Sequence, residues 1–231
     1  MNTAPQWAAI ATGFDGWLAL PPAGRGPGLL LWQEIFGVNA HIRAVAAQYA
    51  LDGFVVLAPD VFWRQQPRVD LGYVGADRER ALALMQAHGA AETTADIAAA
   101  VAALRARPEV AGGMASLGYC MGGRLAYLTA AGGGVDAAVA YYGGGIQGQL
   151  DRAAAIACPL QFHHAGLDDH IPPAAVDAVR AAFTGKPAEF HRYAGAQHGF
   201  NCWARASYHA PSAALAHGRT LAFLAAHLRW G

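Results

Sequence analysis

Short runs rich in apolar residues alternate along the chain with longer stretches whose apolar positions recur every three or four residues. The runs are 28–32, 53–58, 114–119, 137–142, 160–164 and 188–193. They are too short for stable helices, and a strand buried on both faces shows continuous apolar character rather than alternation. Helical spacing runs over 40–51, with Asn39 in position to cap it, then over 77–88, 93–107, 121–131, 173–183 and 212–228. Strands followed in turn by helices call for crossover units. The pattern predicts an α/β fold: a doubly wound, mostly parallel sheet with helices on both faces, in three layers. No Ser/Pro-rich linker, charge block or internal repeat interrupts the series, so residues 1–231 are expected to form one domain.

Charge narrows the function classes. Sixteen basic and sixteen acidic side chains give a formal net charge of +0. Without a basic stripe to displace counterions, nucleic acid is not an expected partner. The apolar stretch 97–104 is cut short by Arg105 and Arg107, so no membrane span is expected. The N-terminal residues lack a charged start, apolar run and small-residue cleavage site, and a cytoplasmic location is the default. Three cysteines, Cys120, Cys158 and Cys202, cannot all pair. No CxxC or His/Cys cluster has metal-ligand spacing, so neither metal nor cofactor is expected. The expected partner is a small molecule, and the chain is expected to be a monomer.

Sheets of this kind bind ligands beyond the carboxyl ends of their strands. The polar residues that fall there are Gln33, Glu34, Cys120, Asp168 and His198. The sharpest local signal is Gly118-Tyr119-Cys120-Met121-Gly122-Gly123. A G-x-nucleophile-x-G turn between a strand and a helix holds its central residue in a strained conformation, and bulky side chains two positions away would clash. The helix that follows points its positive end at the reacting atom. Beside a base, cysteine there can supply a reactive thiolate, although most free cysteines are small buried hydrophobes. Asp168, in Gly166-Leu167-Asp168-Asp169-His170-Ile171-Pro172, lies just past a strand, with Asp169 its competitor. His198 alone among ten histidines combines a glycine-flanked loop with the chain order nucleophile, acid, histidine.

Gln33-Glu34-Ile35-Phe36-Gly37-Val38-Asn39, Ala58-Pro59-Asp60, the Cys120 turn, Tyr141-Tyr142-Gly143, Gly166-Leu167-Asp168 and Ala196-Gln197-His198 together resemble the dienelactone hydrolase (carboxymethylenebutenolidase) family of the α/β-hydrolase superfamily. The similarity runs from about residue 28 to 228. It implies hydrolysis of an ester or lactone by a Cys120–His198–Asp168 triad through a thioester, with Glu34 taking the thiol proton when substrate binds. From pattern alone Glu34 could equally be a loop carboxylate or a helix cap. The resemblance also implies oxyanion donors at the Ile35 and Met121 amides and substrate contacts at Arg78, Tyr142 and Phe36, with Arg80 as an alternative to Arg78. The family holds its substrate carboxylate with arginines, and here the pattern is uneven. Cys202 stands where the second arginine is expected, Arg205 is nearby, and Leu82 replaces a tyrosine. A general carboxylesterase or thioesterase of the same fold is the alternative. A thiol-redox protein and a non-catalytic binder are more distant readings, since neither requires Cys, Asp and His together.

Overall fold

The computed structural model describes residues 4–231. Its strands are β1 (Gln6–Ala11), β2 (Phe14–Ala19), β3 (Gly26–Trp32), β4 (Val55–Pro59), β5 (Val110–Tyr119), β6 (Ala137–Tyr141), β7 (Leu160–Ala165) and β8 (Ala188–Tyr193). They form one sheet in the order β1-β2-β4-β3-β5-β6-β7-β8. Only β2 runs against the rest, pairing antiparallel with both β1 and β4. The pairs from β4 across to β8 are parallel. Among the described residues six α-helices complete the layers: α1 (Ala40–Leu51), α2 (Gly75–Ala87), α3 (Ala90–Arg105), α4 (Met121–Gly132), α5 (Pro173–Ala182) and α6 (Ala210–His227).

Side chains alternate across a strand, so each central strand feeds two cores. Leu29 and Leu31 of β3 pack in one cluster with Ile42 and Val45 of α1 and Phe223 and Leu224 of α6. Leu30 and Trp32 join Ala100 and Leu104 of α3 and Leu125 of α4 on the opposite face. On that face, towards β7, Ala138, Ala140 and Phe162 meet Tyr127 of α4, Val179 of α5 and Phe183, the residue after α5. This is the α/β-hydrolase fold, with the parallel strands all ending at one edge.

The N-terminal hairpin corrects the reading of the pattern, which began its strands at residue 28. In β1, Gln6–Ala11, the burial alternates weakly because this is the sheet's outer strand, and alanine and tryptophan give little contrast with solvent-facing neighbours. Gly13, at φ 76°, makes the turn into β2. Elsewhere the boundaries move by a few residues, the largest being the start of β5 at Val110 rather than 114. Among the described residues no helix is long and apolar enough to cross a membrane.

Candidate active site

Backbone packing explains the glycines that flank Cys120. The chain leaves β5, turns at Cys120 with φ 55° and ψ −117°, and enters α4 at once. A Cβ on Gly118 would lie 2.0 Å from the Gly122 carbonyl oxygen, and one on Gly122 would lie 2.3 Å from that of Trp32. Neither contact can relax by rotating a side chain, since both partners are backbone. The Cys120 amide is anchored on the Tyr141 carbonyl at 3.0 Å. A non-glycine residue in such a conformation stores about 1–3 kcal/mol, which the surrounding sheet must offset.

The acid and histidine come from neighbouring loops that are stitched together. Gly166 N–H donates to the Tyr193 carbonyl at 2.7 Å, and Leu167 N–H to that of Ala196 at 2.9 Å. A Cβ on Gly166 would meet Ala194 Cα at 2.5 Å, so glycine permits this close approach. His198 Nδ1 then sits 3.1 and 3.0 Å from the two carboxylate oxygens of Asp168. The amides of His170 and Ile171 also donate to Asp168 Oδ1, at 2.9 and 3.1 Å. Burial alone would raise the Asp168 pKa, but the His198 bond and these amides outweigh it and hold the carboxyl low. Asp169, the competitor, is exposed and approaches only His170, at 3.6 Å.

For His198, burial pushes the imidazole down. The hydrogen bond to Asp168, the adjacent Cys120 sulfur and the Asp168 charge prevail, raising its pKa to about 10. Its Nε2 is buried and has no hydrogen-bond partner among the described residues. Two rings pack edge-on against it, Tyr142 at 5.0 Å and His170 at 4.7 Å between centroids. Tyr142 itself is fully buried, at φ 36°, directly after β6.

Cys120 and His198 open onto a cavity of about 290 Å³, whose wall also includes Ile35, Phe36, Met121, Arg78 and Arg205. The amides of Ile35 and Met121 make no hydrogen bond within the described residues. Met121 is the first residue of α4, where an amide has no intrahelical acceptor. Two free donors beside a thiol can receive a developing oxyanion. Arg78, although exposed on α2, reaches this wall together with Leu82, whereas Arg80 turns to Gln66. Tyr142 does not line the cavity but lies beneath His198.

Glu34 is buried, and burial pushes its carboxyl up while Arg205 and His198 pull it down, leaving it raised. One oxygen accepts from Arg205 Nη1 at 3.0 Å, and the other, buried, has no partner. Sequence spacing alone does not reveal this ion pair. Cys202 N–H bonds to the Gly199 carbonyl and Arg205 N–H to that of Cys202, so two successive turns fold the segment back on itself. Cys202 is buried in the turn, and the guanidinium returns from three residues further on. Gly199 leaves the space, because a Cβ there would lie 2.5 Å from Arg205 Nη1. The Arg205 guanidinium also lies 5.7 Å from the rings of both Phe36 and Tyr73. The residues that sequence reading missed at the wall are Met85, Gly144, His170 and Arg124. Of these only Arg124 carried a signal, a lone charge in the first turn of an apolar helix.

The chain has relatives among known proteins. The profile of the dienelactone hydrolase family matches residues 14–228. The carboxymethylenebutenolidase of Pseudomonas sp. (strain P51) is 36% identical over 212 residues, covering 91% of this chain and 89% of that protein. The carboxymethylenebutenolidase of Pseudomonas putida is 36% identical over 214 residues, covering 92% and 91%. A crystal structure of a dienelactone hydrolase-like promiscuous phosphotriesterase from metagenomic libraries superposes with a TM-score of 0.82 over 97% of this chain and 98% of that one; at 22% identity the likeness bears on the fold. With an α/β-hydrolase sheet, a Gly-x-Cys-x-Gly turn at its carboxyl edge and these relatives along almost its whole length, the chain belongs to the dienelactone hydrolase family of carboxylic ester hydrolases.

Proposed function

We infer that this protein hydrolyses a carboxylate-bearing ester or lactone, with Cys120 as nucleophile and a thioester intermediate. The observation that carries the reading is the shared cavity, whose wall brings together Cys120, His198, Ile35, Met121, Arg78 and Arg205.

The chemistry follows from the charges. An imidazolium cannot accept a proton, so His198, raised to about 10, is suited to protonate the leaving oxygen. The thiol proton then needs another acceptor, and Glu34 is a carboxylate whose basicity burial increases. While Glu34 is held by Arg205 it is a weaker base. A substrate carboxylate arriving at Arg205 competes for that guanidinium and frees Glu34 to accept the proton. Cys120 Sγ attacks the carbonyl carbon, and the oxyanion takes hydrogen bonds from the Ile35 and Met121 amides. Collapse expels the leaving oxygen, which is protonated by His198. The neutral imidazole then removes a proton from water, whose oxygen attacks the thioester; the acid departs and the thiolate recovers its proton from Glu34.

Steady-state hydrolysis of matched lactones with and without a free carboxylate tests the substrate class. One charge-assisted hydrogen bond contributes about 1.5–3 kcal/mol, so the acids are expected to be favoured in kcat/KM by roughly 10- to 100-fold. Equal rates would contradict the carboxylate requirement and leave a broader esterase.

Asp168→Asn tests the histidine. Because the Asp168 bond is the main influence raising His198, the imidazolium of the variant is lost at a lower pH. Imidazolium exists below its pKa, so the alkaline limb of kcat/KM, expected near pH 10 in the parent, should move down in the variant. Loss of the orienting carboxylate is expected to lower kcat by about 10³–10⁴. A pH–rate profile with an unmoved alkaline limb would exclude this role for Asp168.

A further inference from the structure

Arg124 is not used by the chemistry above, yet it stands in the wall of the catalytic cavity. It lies in the first turn of α4, four residues after Cys120, and also lines a second cleft of about 680 Å³. That cleft runs between α3 and α4, with Ile97, Val101, Leu125 and Leu128 as apolar lining and Arg105 and Arg152 also in its wall. Arg124 is the residue common to the two.

Three observations make its guanidinium a binding group. Among the described residues it has no hydrogen bond and no ion pair, whereas Arg205 is paired with Glu34 and Arg105 donates to the Gly134 carbonyl. Among the described residues no aspartate or glutamate lines either cavity; Arg205 is paired with Glu34, whereas Arg78 and Arg124 bring positive charge to the first cavity without an ion-pair partner. The loop after β6 is built to leave room for it. Gly145 sits at φ 87°, and a Cβ there would lie 2.7 Å from Arg124 Nη1. Gly144 beside it belongs to the catalytic cavity wall. Gly145 therefore leaves room for the guanidinium against the backbone, and Arg124 borders both spaces.

We propose that Arg124 determines specificity by binding a second anionic group of the substrate, on the leaving-group side, and that substrates extend from Cys120 past Arg124 into the α3–α4 cleft. This rests on the ester-hydrolase reading, in which Arg78 and Arg205 take the first carboxylate. Arg124 takes no part in bond making. It favours esters or lactones with two separated acidic groups over those with one.

Four esters test this: 4-nitrophenyl acetate, mono-4-nitrophenyl succinate, 3-carboxy-4-nitrophenyl acetate and mono-(3-carboxy-4-nitrophenyl) succinate. They place a carboxylate on neither side, the acyl side, the leaving side or both. After correction for the different chemical reactivity of the two phenols, the doubly anionic ester is expected to exceed the succinate monoanion about ten-fold in kcat/KM, the scale of one charge-assisted hydrogen bond. Arg124→Met should reduce that ratio to near one, chiefly through KM, and Arg124→Lys should restore part of it. Using the ratio within each variant cancels any general loss of folded enzyme. If the parent shows no preference for the doubly anionic ester, or if Arg124→Met leaves the ratio intact, the assignment of Arg124 falls while the ester-hydrolase reading stands. If none of the four is turned over in a Cys120-dependent manner, the underlying reading falls with it.

Discussion

Cys120→Ala is expected to lower kcat/KM on activated esters by roughly 10⁴-fold or more, the scale on which hydrolases lose activity when the nucleophile alone is removed. The size of the effect follows from position. Cys120 occupies the strained turn at the carboxyl edge of the sheet, beside the free amides of Ile35 and Met121 and the unpartnered Nε2 of His198. None of those groups can replace a nucleophile, although together they can still polarise a carbonyl, so residual hydrolysis above that of water is consistent with the account. The substitution should leave the melting temperature close to that of the parent, because the variant keeps the backbone and removes only a partly exposed sulfur. Cys120→Ser retains the shape and a hydroxyl but not the acidity of a thiol, and is expected to be far weaker than the parent. Steady-state rates with a melting curve on each variant check both statements; an alanine variant with most of its activity would remove Cys120 from the mechanism.

Arg205→Met is the second large effect, and it should appear in stability as well as in activity. The substitution strands Glu34, whose side chain is 2% exposed, without its cation. Breaking one partner from a buried ion pair costs about 3–5 kcal/mol, which for a chain of this length lowers Tm by roughly 6–20 °C. The pH dependence has a defined sign. Glu34 is already raised by burial, and without Arg205 it is raised further. A carboxyl whose folded pKa exceeds its unfolded one stabilises the fold fully only below the unfolded value, and that contribution is lost as pH rises through the folded value. The deficit against the parent should therefore be small in acid and grow towards neutral pH. Arg205→Met combined with Glu34→Gln removes the stranded charge and is expected to recover part of the loss. Thermal melts from pH 4 to pH 8 measure this. A deficit independent of pH, or unrelieved in the double variant, would mean that Arg205 acts by packing on Phe36 and Tyr73 rather than through Glu34.

Much of this was legible in the sequence because burial leaves a signature. The strands from β3 to β7 are largely buried on both faces, so they read as mostly apolar runs, while β8 at the sheet's other edge is only partly buried. The outer strands β1 and β2 escaped because one lies at the sheet's edge with partly exposed side chains, and the turn between them depends on Gly13. Chain order separated His198 from nine other histidines, and the structure brings its ring to Asp168. What could not be read was contact across long separations. Arg205 and Glu34 are 171 positions apart, and their pairing depends on two turns around the buried Cys202 and on space left by Gly199. Tyr142 shows the converse. Its motif was visible, but only packing shows that the ring lies under His198 and away from the cavity wall.

The most direct measurement of the central claim is intact-protein and peptide mass spectrometry after rapid acid quench of the enzyme turning over mono-4-nitrophenyl succinate. A mass increase of one acyl group on the peptide holding Cys120, cleaved by hydroxylamine and missing in Cys120→Ala, is the predicted result. Turnover by an enzyme whose Cys120 stays unmodified, with the acyl group on another residue, would contradict it.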